Sequence, residues 1–183
     1  MSKKCLVLTA SPRKGGNSDL LANAFIGGAQ AAGHEAHKVE TAFKNIGGCI
    51  ACDTCWSTGY ACTQEDDFRT LEPLMEGYDV LVLATPIYWY TFPMQIKGWI
   101  DRLYAYGGAG SDRPLAFKES YLLVCGEESD KSAYDNIIYT YNQMGNFLNF
   151  KDAGILVASG LGAAGKVQET DFLKQAEALG RNV

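Results

Sequence analysis

The sequence predicts an α/β fold in which a doubly wound sheet of five parallel strands carries helices on both faces. Short apolar runs alternate with helical patterns along the whole chain, which is the arrangement expected of consecutive βα units. Residues 80–84, Val-Leu-Val-Leu-Ala, are apolar at every position. Such a run suits a central strand that helices cover on each side. A glycine-containing loop at residues 11–18 lies between the first apolar run and the first helical pattern.

Five apolar segments are predicted to be strands, because each is short and is bounded by turn residues or by a helical pattern. The segment at residues 34–41 alternates only weakly and is therefore predicted to lie at an edge of the sheet. The five segments are residues 5–9, 34–41, 80–84, 121–125 and 155–158.

Five helices are predicted after these strands. The first runs from about Asp19 to a C-cap at Gly33, with Asn17 or Ser18 as its N-terminal cap. Residues 107–114 are expected to form a flexible surface loop. The other four helices are predicted at residues 66–77, 93–106, 132–148 and 168–179.

Length and composition restrict the class of protein. A chain of 183 residues with 47% hydrophobic residues is expected to form one domain, residues 1–183. A formal net charge of −5 argues against a nucleic-acid surface. The apolar runs are too short for a signal peptide or a membrane helix, so a cytoplasmic protein is expected. Its six cysteines are then better explained as metal ligands, redox groups or buried thiols than as structural disulfides.

The loop at residues 11–18, Ser-Pro-Arg-Lys-Gly-Gly-Asn-Ser, has the features of a phosphate-binding loop. Its glycines allow a tight turn, and the helix that follows carries partial positive charge at its N-terminus. The loop is neither a Walker A sequence nor a G-x-G-x-x-G fingerprint. An ordinary glycine-rich turn remains the alternative, although a turn alone needs neither the hydroxyl groups nor the arginine.

The predicted strand order is 2-1-3-4-5, the flavodoxin-like order, since right-handed crossovers then place a ligand at the carboxyl ends of strands one and three. The expected site consists of the loops at residues 11–18, 85–90 and 125–128. The middle loop is rich in aromatic side chains that suit a flat heteroaromatic ring, the core or a dimer face. For Tyr90 and Phe92 the core or a dimer face is the preferred interpretation. The aromatic residues are Tyr88, Trp89, Tyr90 and Phe92.

Residues 11–18, together with Thr-Pro-Ile-Tyr-Trp at 85–89 and Ile-Asp-Arg at 100–102, resemble the NADPH-dependent FMN reductase family. The resemblance covers nearly the whole chain. It implies that the flavin accepts hydride at N5, so that no protein acid or base is needed and no catalytic residue is named. It also implies three groups of FMN contacts: Ser11, Arg13, Asn17 and Ser18 at the phosphate; Pro86, Ile87, Tyr88 and Trp89 along the isoalloxazine; and Gly126 and Glu127 on its far side.

Residues 160–165 spell G-x-G-x-x-G after a strand and before a helix. A dinucleotide fingerprint also needs a second strand with an acidic residue about 20 positions further on. The sequence ends at Val183, which leaves too little chain for that strand. A flexible loop after the fifth strand is therefore predicted.

Four cysteines lie within 14 residues, with the spacing C-x2-C-x2-C-x6-C. The spacing resembles the compact motif of the iron–sulfur flavoproteins, which implies a [4Fe-4S] cluster beside the FMN. A four-thiolate zinc site and a loop of reduced thiols remain alternatives. Cys5 and Cys125 lie in strands and are predicted to be buried. The four candidate ligands are Cys49, Cys52, Cys55 and Cys62.

Two functional classes follow. The first is an oxidoreductase in which NAD(P)H reduces FMN and the flavin reduces a small acceptor such as a quinone, a nitro compound or free flavin. The second is an electron-transfer flavoprotein that exchanges electrons with a ferredoxin-type protein. A protein of either class is expected to form a homodimer or homotetramer, because aromatic residues of the cysteine loop and of the segment after the third strand would expose apolar area. These residues are Trp56, Tyr60, Trp89, Tyr90 and Phe92.

Overall fold

A computed structural model describes residues 1–107 and 111–183 and contains one sheet of five parallel strands. The order β2-β1-β3-β4-β5 confirms the predicted topology, including the edge position of the second strand. The strands are β1 Lys4–Thr9, β2 Glu35–Glu40, β3 Val80–Pro86, β4 Glu119–Cys125 and β5 Lys151–Ala158.

Six α-helices flank the sheet in the described part of the chain, one more than the sequence predicted. The predicted helix at residues 93–106 is interrupted at Leu103, whose N–H donates to Ile100 O in a tight i→i+3 turn. The Ala105 carbonyl, which lies in the last turn before the helix ends at Gly107, accepts the Trp56 Nε1–H at 3.2 Å. The helices are α1 Asn17–Ala31, α2 Phe68–Gly77, α3 Met94–Arg102, α4 Tyr104–Gly107, α5 Asp135–Leu148 and α6 Phe172–Arg181.

The predicted loop at residues 107–114 is only partly described, since Gly107 ends α4 and residues 108–110 lie outside the described residues. None of the helices in the described ranges combines the length and the apolar character that a membrane crossing requires.

Side chains alternate between the two faces of the sheet, and both faces are buried. Leu81 and Leu83 of β3 contribute to the core on the side of α2, α3 and α5, whereas Val80 and Val82 pack on the side of α1 and α6. This two-sided burial explains why residues 80–84 are apolar throughout. It confirms the doubly wound architecture and leaves the carboxyl ends of the strands open at one edge of the sheet.

The beginning of α1 differs from the prediction. Its N-cap is Gly16, which supplies no side-chain hydrogen bond, rather than Asn17 or Ser18. The first-turn N–H groups of the 15-residue helix are therefore not satisfied by a capping side chain. The N-cap of α2 is likewise not the predicted residue: it is Asp67, which makes no side-chain cap hydrogen bond, although Oδ1 of Asp66 accepts the Phe68 N–H at 3.0 Å from one residue before it.

Candidate functional site

A cavity of about 290 Å³ lies at the carboxyl ends of β1, β3 and β4, where the topology places a ligand. We call it the strand-end cavity. Nine of the ten cofactor-binding residues suggested by the family resemblance line it, and Trp89 does not. The nine are Ser11, Arg13, Asn17, Ser18, Pro86, Ile87, Tyr88, Gly126 and Glu127.

The loop after β1 is held in shape by its own hydrogen bonds. The Arg13 N–H donates to Ser11 Oγ at 3.1 Å, and the Gly16 N–H donates to Arg13 O at 3.0 Å. Asp19 supports the turn from the first turn of α1, because its Oδ2 accepts the Gly15 N–H at 3.0 Å. Its Oδ1 pairs with Lys38 Nζ of β2 at 2.6 Å. Sequence reasoning missed Asp19, although an acidic residue in a first helical turn is a recognisable signal.

Ser18 presents an unsatisfied polar atom at this cavity. The residue is 1% exposed, and its Oγ has no hydrogen-bond partner within the described chain. A buried hydroxyl without a partner costs about 1–3 kcal/mol, so Ser18 Oγ is a candidate to bond a group that binds in this cavity. With the uncapped N-terminus of α1 and the Arg13 guanidinium in the same wall, the cavity suits an anion.

Asn17 has a different role from the one implied by the resemblance. Its Nδ2 donates to Ala163 O at 2.9 Å and to Leu161 O at 3.3 Å, and its Oδ1 accepts the Val167 N–H at 3.1 Å. The side chain therefore ties α1 to the loop after β5, and only the backbone N–H of Asn17 remains for a ligand.

The same bonds change the interpretation of residues 160–165, which the sequence predicted to be a flexible loop. The Leu161 N–H also donates to Gly126 O at 2.7 Å, and Leu161, Gly162 and Ala164 form part of the cavity wall. This segment is a fourth loop of the site. No short-range signal marks it, because its position depends on contacts that span almost the entire chain.

Gly126 allows the loops after β3 and β4 to approach each other closely. A Cβ at this position would lie 2.5 Å from Ile87 Cγ2 and 2.8 Å from the Tyr134 hydroxyl oxygen. Beside it, burial raises the pKa of Cys125 to about 12, opposed in part by the polar groups of Ser18, although Ser18 Oγ and Cys125 Sγ form no hydrogen bond of normal length. Cys125 and Cys5 are both buried, as predicted.

Trp89 lies at the tip of a two-residue hairpin outside the strand-end cavity. Tyr88 and Thr91 exchange two backbone hydrogen bonds of 3.1 Å, and φ is +47° at Trp89 and +64° at Tyr90. Positive φ at both central positions defines a type I′ turn, which normally contains Asn-Gly. The backbone of these two residues is therefore strained. Trp89 lines a smaller cavity together with Ile87 and Glu127.

The aromatic residues near this hairpin divide into two groups. Trp89 is 90% exposed, whereas Phe92 is 3% exposed and belongs to the core. Its burial agrees with the preferred interpretation of Phe92 as a core residue and corrects the expectation that Phe92 exposes apolar area for association.

All four cysteines of the compact motif line a second cavity of about 270 Å³, which we call the cysteine cavity. Its wall also includes Gln64, Asp101, Arg102 and Tyr104. No disulfide joins the thiols. A loop of 14 residues thus brings the four cysteines to the wall of one cavity.

The sulfur atoms are surrounded by hydrogen-bond donors. The Ala51 N–H donates to Cys49 Sγ at 3.4 Å, and Cys52 Sγ shares a hydrogen bond of 3.1 Å with Thr54 Oγ1. The bonds from Thr54, followed by that from Thr63, lower the pKa of Cys52. Burial and then the neighbouring thiols raise the pKa of Cys55. The cavity therefore combines a thiol whose pKa is lowered with one whose pKa is raised.

Three arginines hold the cysteine loop in place. Arg113 donates to the carbonyl oxygens of residues 55 and 58–60, and Arg69 donates to Thr63 O at 3.1 Å while covering the Tyr60 ring. Arg102 pairs with Asp66 Oδ2 at 2.6 Å. Sequence reasoning missed these anchors, since the three arginines lie at distances of 6 to 58 positions from the groups they bind.

The arrangement distinguishes between the candidate metals. A tetrahedral zinc with bonds of about 2.3 Å to sulfur needs its ligand sulfurs only about 4 Å apart. Among residues 1–107 and 111–183, no three Cys, His, Asp or Glu side chains are grouped closely enough to hold a single ion. Ala51 and Asp53 flank Cys52 with φ of +52° and +53°, a strained backbone of the kind found at binding sites.

Comparison with known proteins agrees with the fold and the sequence motifs. A family model described as flavodoxin-like fold matches residues 3–183. The chain is 36% identical over 104 residues to an iron-sulfur flavoprotein of Archaeoglobus fulgidus, covering 57% of this chain and 47% of that protein. It is 30% identical over 95 residues to an iron-sulfur flavoprotein of Methanosarcina thermophila, covering 52% and 49%. The chain spans about half the length of these curated relatives.

A solved structure of similar shape covers the whole chain. The NAD(P)H:quinone oxidoreductase from Methanothermobacter marburgensis superimposes with a TM-score of 0.76 over 100% of this chain and 97% of that one, at 17% identity. At this identity the likeness concerns the fold.

Proposed function

Because this chain belongs to the flavodoxin-like fold family, we propose that it is an FMN-dependent NAD(P)H oxidoreductase carrying an iron–sulfur centre, with residues 1–183 as one FMN-binding domain. The observation that carries the proposal is the unpartnered, buried Ser18 hydroxyl at the strand-end cavity, beside an uncapped helix N-terminus and Arg13. A terminal phosphate would satisfy all three groups at once.

The residues of the cavity fit a flavin mononucleotide. Ser11, Arg13 and Ser18 would hold the phosphate, together with the backbone N–H groups at the start of α1. Pro86, Ile87 and Tyr88 on one side and Gly126 and Glu127 on the other would flank the ring system. When bound, FMN accepts hydride from a nicotinamide and releases electrons in pairs or singly.

The chain's own groups orient the flavin rather than take part in proton transfer. Close packing of Gly126 against Ile87 sets the width of the slot between the two loops. The thiol of Cys125 remains protonated, because burial raises its pKa to about 12. The relatives named as iron-sulfur flavoproteins and the quinone oxidoreductase of similar fold support a redox function that uses NAD(P)H and a small acceptor.

The cysteine cavity fits a [4Fe-4S] cluster, with Cys49, Cys52, Cys55 and Cys62 as its ligands. Such a cluster supplies single-electron transfer. The anchored loop, the hydrogen bonds to sulfur and the strained backbone at Ala51 and Asp53 would support the four ligands, because the chain's own groups fix the shape of the cysteine loop.

An electron-transfer flavoprotein without a small-molecule substrate is the second candidate. It is favoured by the exposure of Cys49 and Cys52, which would bring the cluster near the surface and within reach of a ferredoxin-type protein. The two candidates share both cofactors and differ in whether NAD(P)H is the direct reductant.

The test is anaerobic purification followed by a visible spectrum, flavin release, and iron and sulfide analysis. One FMN with about four irons and four sulfides per chain is the expected result. Rapid bleaching of the flavin by NADPH or NADH supports the oxidoreductase, whereas bleaching only by reduced ferredoxin supports the electron carrier. Protein that binds no FMN under these conditions contradicts the proposal.

Replacing Ser18 by alanine is expected to weaken FMN binding by about 10- to 100-fold, which corresponds to the 1.5–3 kcal/mol of a hydrogen bond to a charged group. Because Ser18 Oγ has no partner in the chain, the same change should leave the flavin-free protein equally stable or slightly more stable. Fluorescence titration with FMN and urea unfolding measure the two effects.

Ser132→Ala is the matched control, since Ser132 is exposed and is not among the lining residues of the strand-end cavity. It should change neither the affinity for FMN nor the stability of the flavin-free protein. Unchanged FMN affinity in Ser18→Ala would remove this hydroxyl from the phosphate site. A loss of stability in the flavin-free variant would mean that the serine serves the fold instead.

We further propose that the protein is a homodimer or homotetramer whose interface includes the exposed hairpin at Trp89. Trp89→Asn is expected to dissociate the assembly and to weaken FMN binding. It should also stabilise the separated chain by about 1 kcal/mol, because asparagine tolerates positive φ better than tryptophan. Light scattering measures the dissociation, fluorescence titration measures FMN binding, and thermal unfolding measures the stability of the separated chain.

Trp89→Phe keeps both the apolar side chain and the strain, so this variant should remain assembled. A monomer mass for the FMN-bound wild type at micromolar concentration would contradict the proposed assembly. A charged residue at Phe92 is not a useful test, because Phe92 is buried and its replacement would disrupt the core.

A further inference from the structure

We propose that Arg102 is a positioning residue of the cysteine cavity: its Nε–H and Nη2–H groups donate to sulfur atoms of the bound cluster, and its charge offsets part of the cluster's negative charge. The inference rests on the proposed function in one respect, namely that the four cysteines hold an iron–sulfur cluster. It concerns how this chain prepares the cavity for that group.

The guanidinium of Arg102 is buried and only partly paired. Its side chain is 1% exposed, and Nη1 donates to Asp66 Oδ2 at 2.6 Å and to Gly47 O at 3.3 Å. The Phe68 ring covers one face of the guanidinium at 4.2 Å. The Nε and Nη2 atoms are buried and have no hydrogen-bond partner within the described chain.

Two unsatisfied donors on a buried cation are costly, because each loses its hydrogen bond to water on folding without gaining another. The salt bridge with Asp66 does not satisfy these two donors, because the Asp66 carboxylate accepts a hydrogen bond only from Nη1. Arg102 is also part of the wall of the cysteine cavity. An electron-rich group in that cavity is therefore the partner that would satisfy both donors.

The charges around the cavity support the same assignment. Asp53 and Asp101 also line it, and Asp101 is neutralised by Lys97 Nζ at 2.5 Å. Among the described lining residues, Arg102 is the one cation. Four thiolates and a cluster would carry net negative charge, so a single positive group held rigidly at the wall would favour their ionisation and binding.

Asp66 would complete this arrangement by orienting the guanidinium. Its carboxylate also accepts the N–H groups of Gly47 at 2.9 Å and Phe68 at 3.0 Å, and thus connects Arg102 with both ends of the cysteine segment. Burial tends to raise the pKa of Asp66, but the bond from Arg102 and those from the two backbone N–H groups outweigh it and lower the pKa. Asp66 therefore stays charged and keeps its hydrogen bond with Arg102 Nη1. The Nε–H and Nη2–H groups of Arg102 remain available for another acceptor.

The decisive variant is Arg102→Lys, which retains the charge and the pairing with Asp66 but has no counterpart to Nε–H and Nη2–H. Hydrogen bonds to cluster sulfurs raise the reduction potential, so the midpoint potential of the cluster should fall in this variant. Its affinity for iron should fall on the order of tenfold, as is typical when a group that supports metal ligands is lost. Anaerobic spectroelectrochemistry and iron retention against a chelator measure these quantities.

Arg113→Lys is the matched control. Arg113 holds carbonyl oxygens of the same loop but is not part of the cavity wall. This change should lower the unfolding temperature without moving the midpoint potential of the cluster that remains bound. Equal shifts in potential for the two variants would overturn the inference, because they would show that only the anchoring of the loop matters.

Asp66→Asn supplies a test of opposite sign that does not depend on Arg102→Lys folding. Asparagine retains an oxygen that can accept the Arg102 Nη1–H, so the guanidinium keeps its orientation but is less neutralised, and the potential should rise instead of falling. An unchanged or lowered potential contradicts the inference. Wild-type protein that holds no iron and sulfide refutes the cluster and this inference together, whereas a normal wild-type cluster with an unchanged potential in Arg102→Lys refutes the inference alone.

Discussion

Gly28→Val is expected to lower the free energy of unfolding by about 4 kcal/mol, at the upper end of the range for single substitutions. A Cβ at Gly28 would lie 2.0 Å from Glu177 O, and one at Gly180 would lie 2.0 Å from Phe25 O. The backbones of α1 and α6 therefore touch at their crossing, and any side chain there must push the helices apart. Urea unfolding followed by circular dichroism measures the loss.

A displacement of α1 should also alter the strand-end cavity, because the candidate phosphate site lies at the N-terminus of this helix. FMN binding is expected to weaken in whatever fraction of Gly28→Val remains folded. Gly27→Ala is the control on the same helix: Gly27 is exposed, and a Cβ there meets no atom within 4 Å. It should stabilise the protein by up to about 1 kcal/mol, the helix propensity difference between glycine and alanine. Destabilisation of similar size in both variants would contradict this account of the helix crossing.

Asp66→Asn is expected to cost about 3 kcal/mol of stability at neutral pH, because it leaves the Arg102 guanidinium buried without its counter-charge. The side chains of Arg102 and Asp66 are 1% and 10% exposed, so solvent screens the pair weakly. Asp171→Asn is the surface control. Its ion pair with Lys174 is 75% to 83% exposed, and its loss should leave stability nearly unchanged.

The same pair predicts how stability depends on pH. The pKa of Asp66 is lower in the folded protein than its ordinary value of 3.8, so the unfolded chain binds the proton more tightly. The stabilisation by this carboxylate is therefore fully present above pH 4 to 5 and is lost as pH falls through the folded-state pKa. The difference in stability between wild type and Asp66→Asn should shrink on acidification. A constant difference down to pH 2 would show that Asp66 acts through shape and not through charge.

The sequence by itself determined the strand order and most of the strand-end cavity. Apolar runs such as residues 80–84 identify parallel strands, and the right-handed crossover rule then brings the loops after them to one edge. The short cysteine spacing likewise sufficed to predict that the four thiols lie together. These inferences depend on local pattern and on topology, and both can be read without knowing which side chains touch.

Only the tertiary structure decided the partners of individual polar groups. Asn17 binds the loop after β5 instead of capping α1, and Arg102 and Arg113 hold a cysteine loop that lies tens of residues away. The turn at Leu103 and the burial of Phe92 likewise follow from neighbours distant in sequence. A hydrogen bond or a packing contact depends on where a side chain points to within a fraction of an ångström, and the packing of remote elements sets that direction.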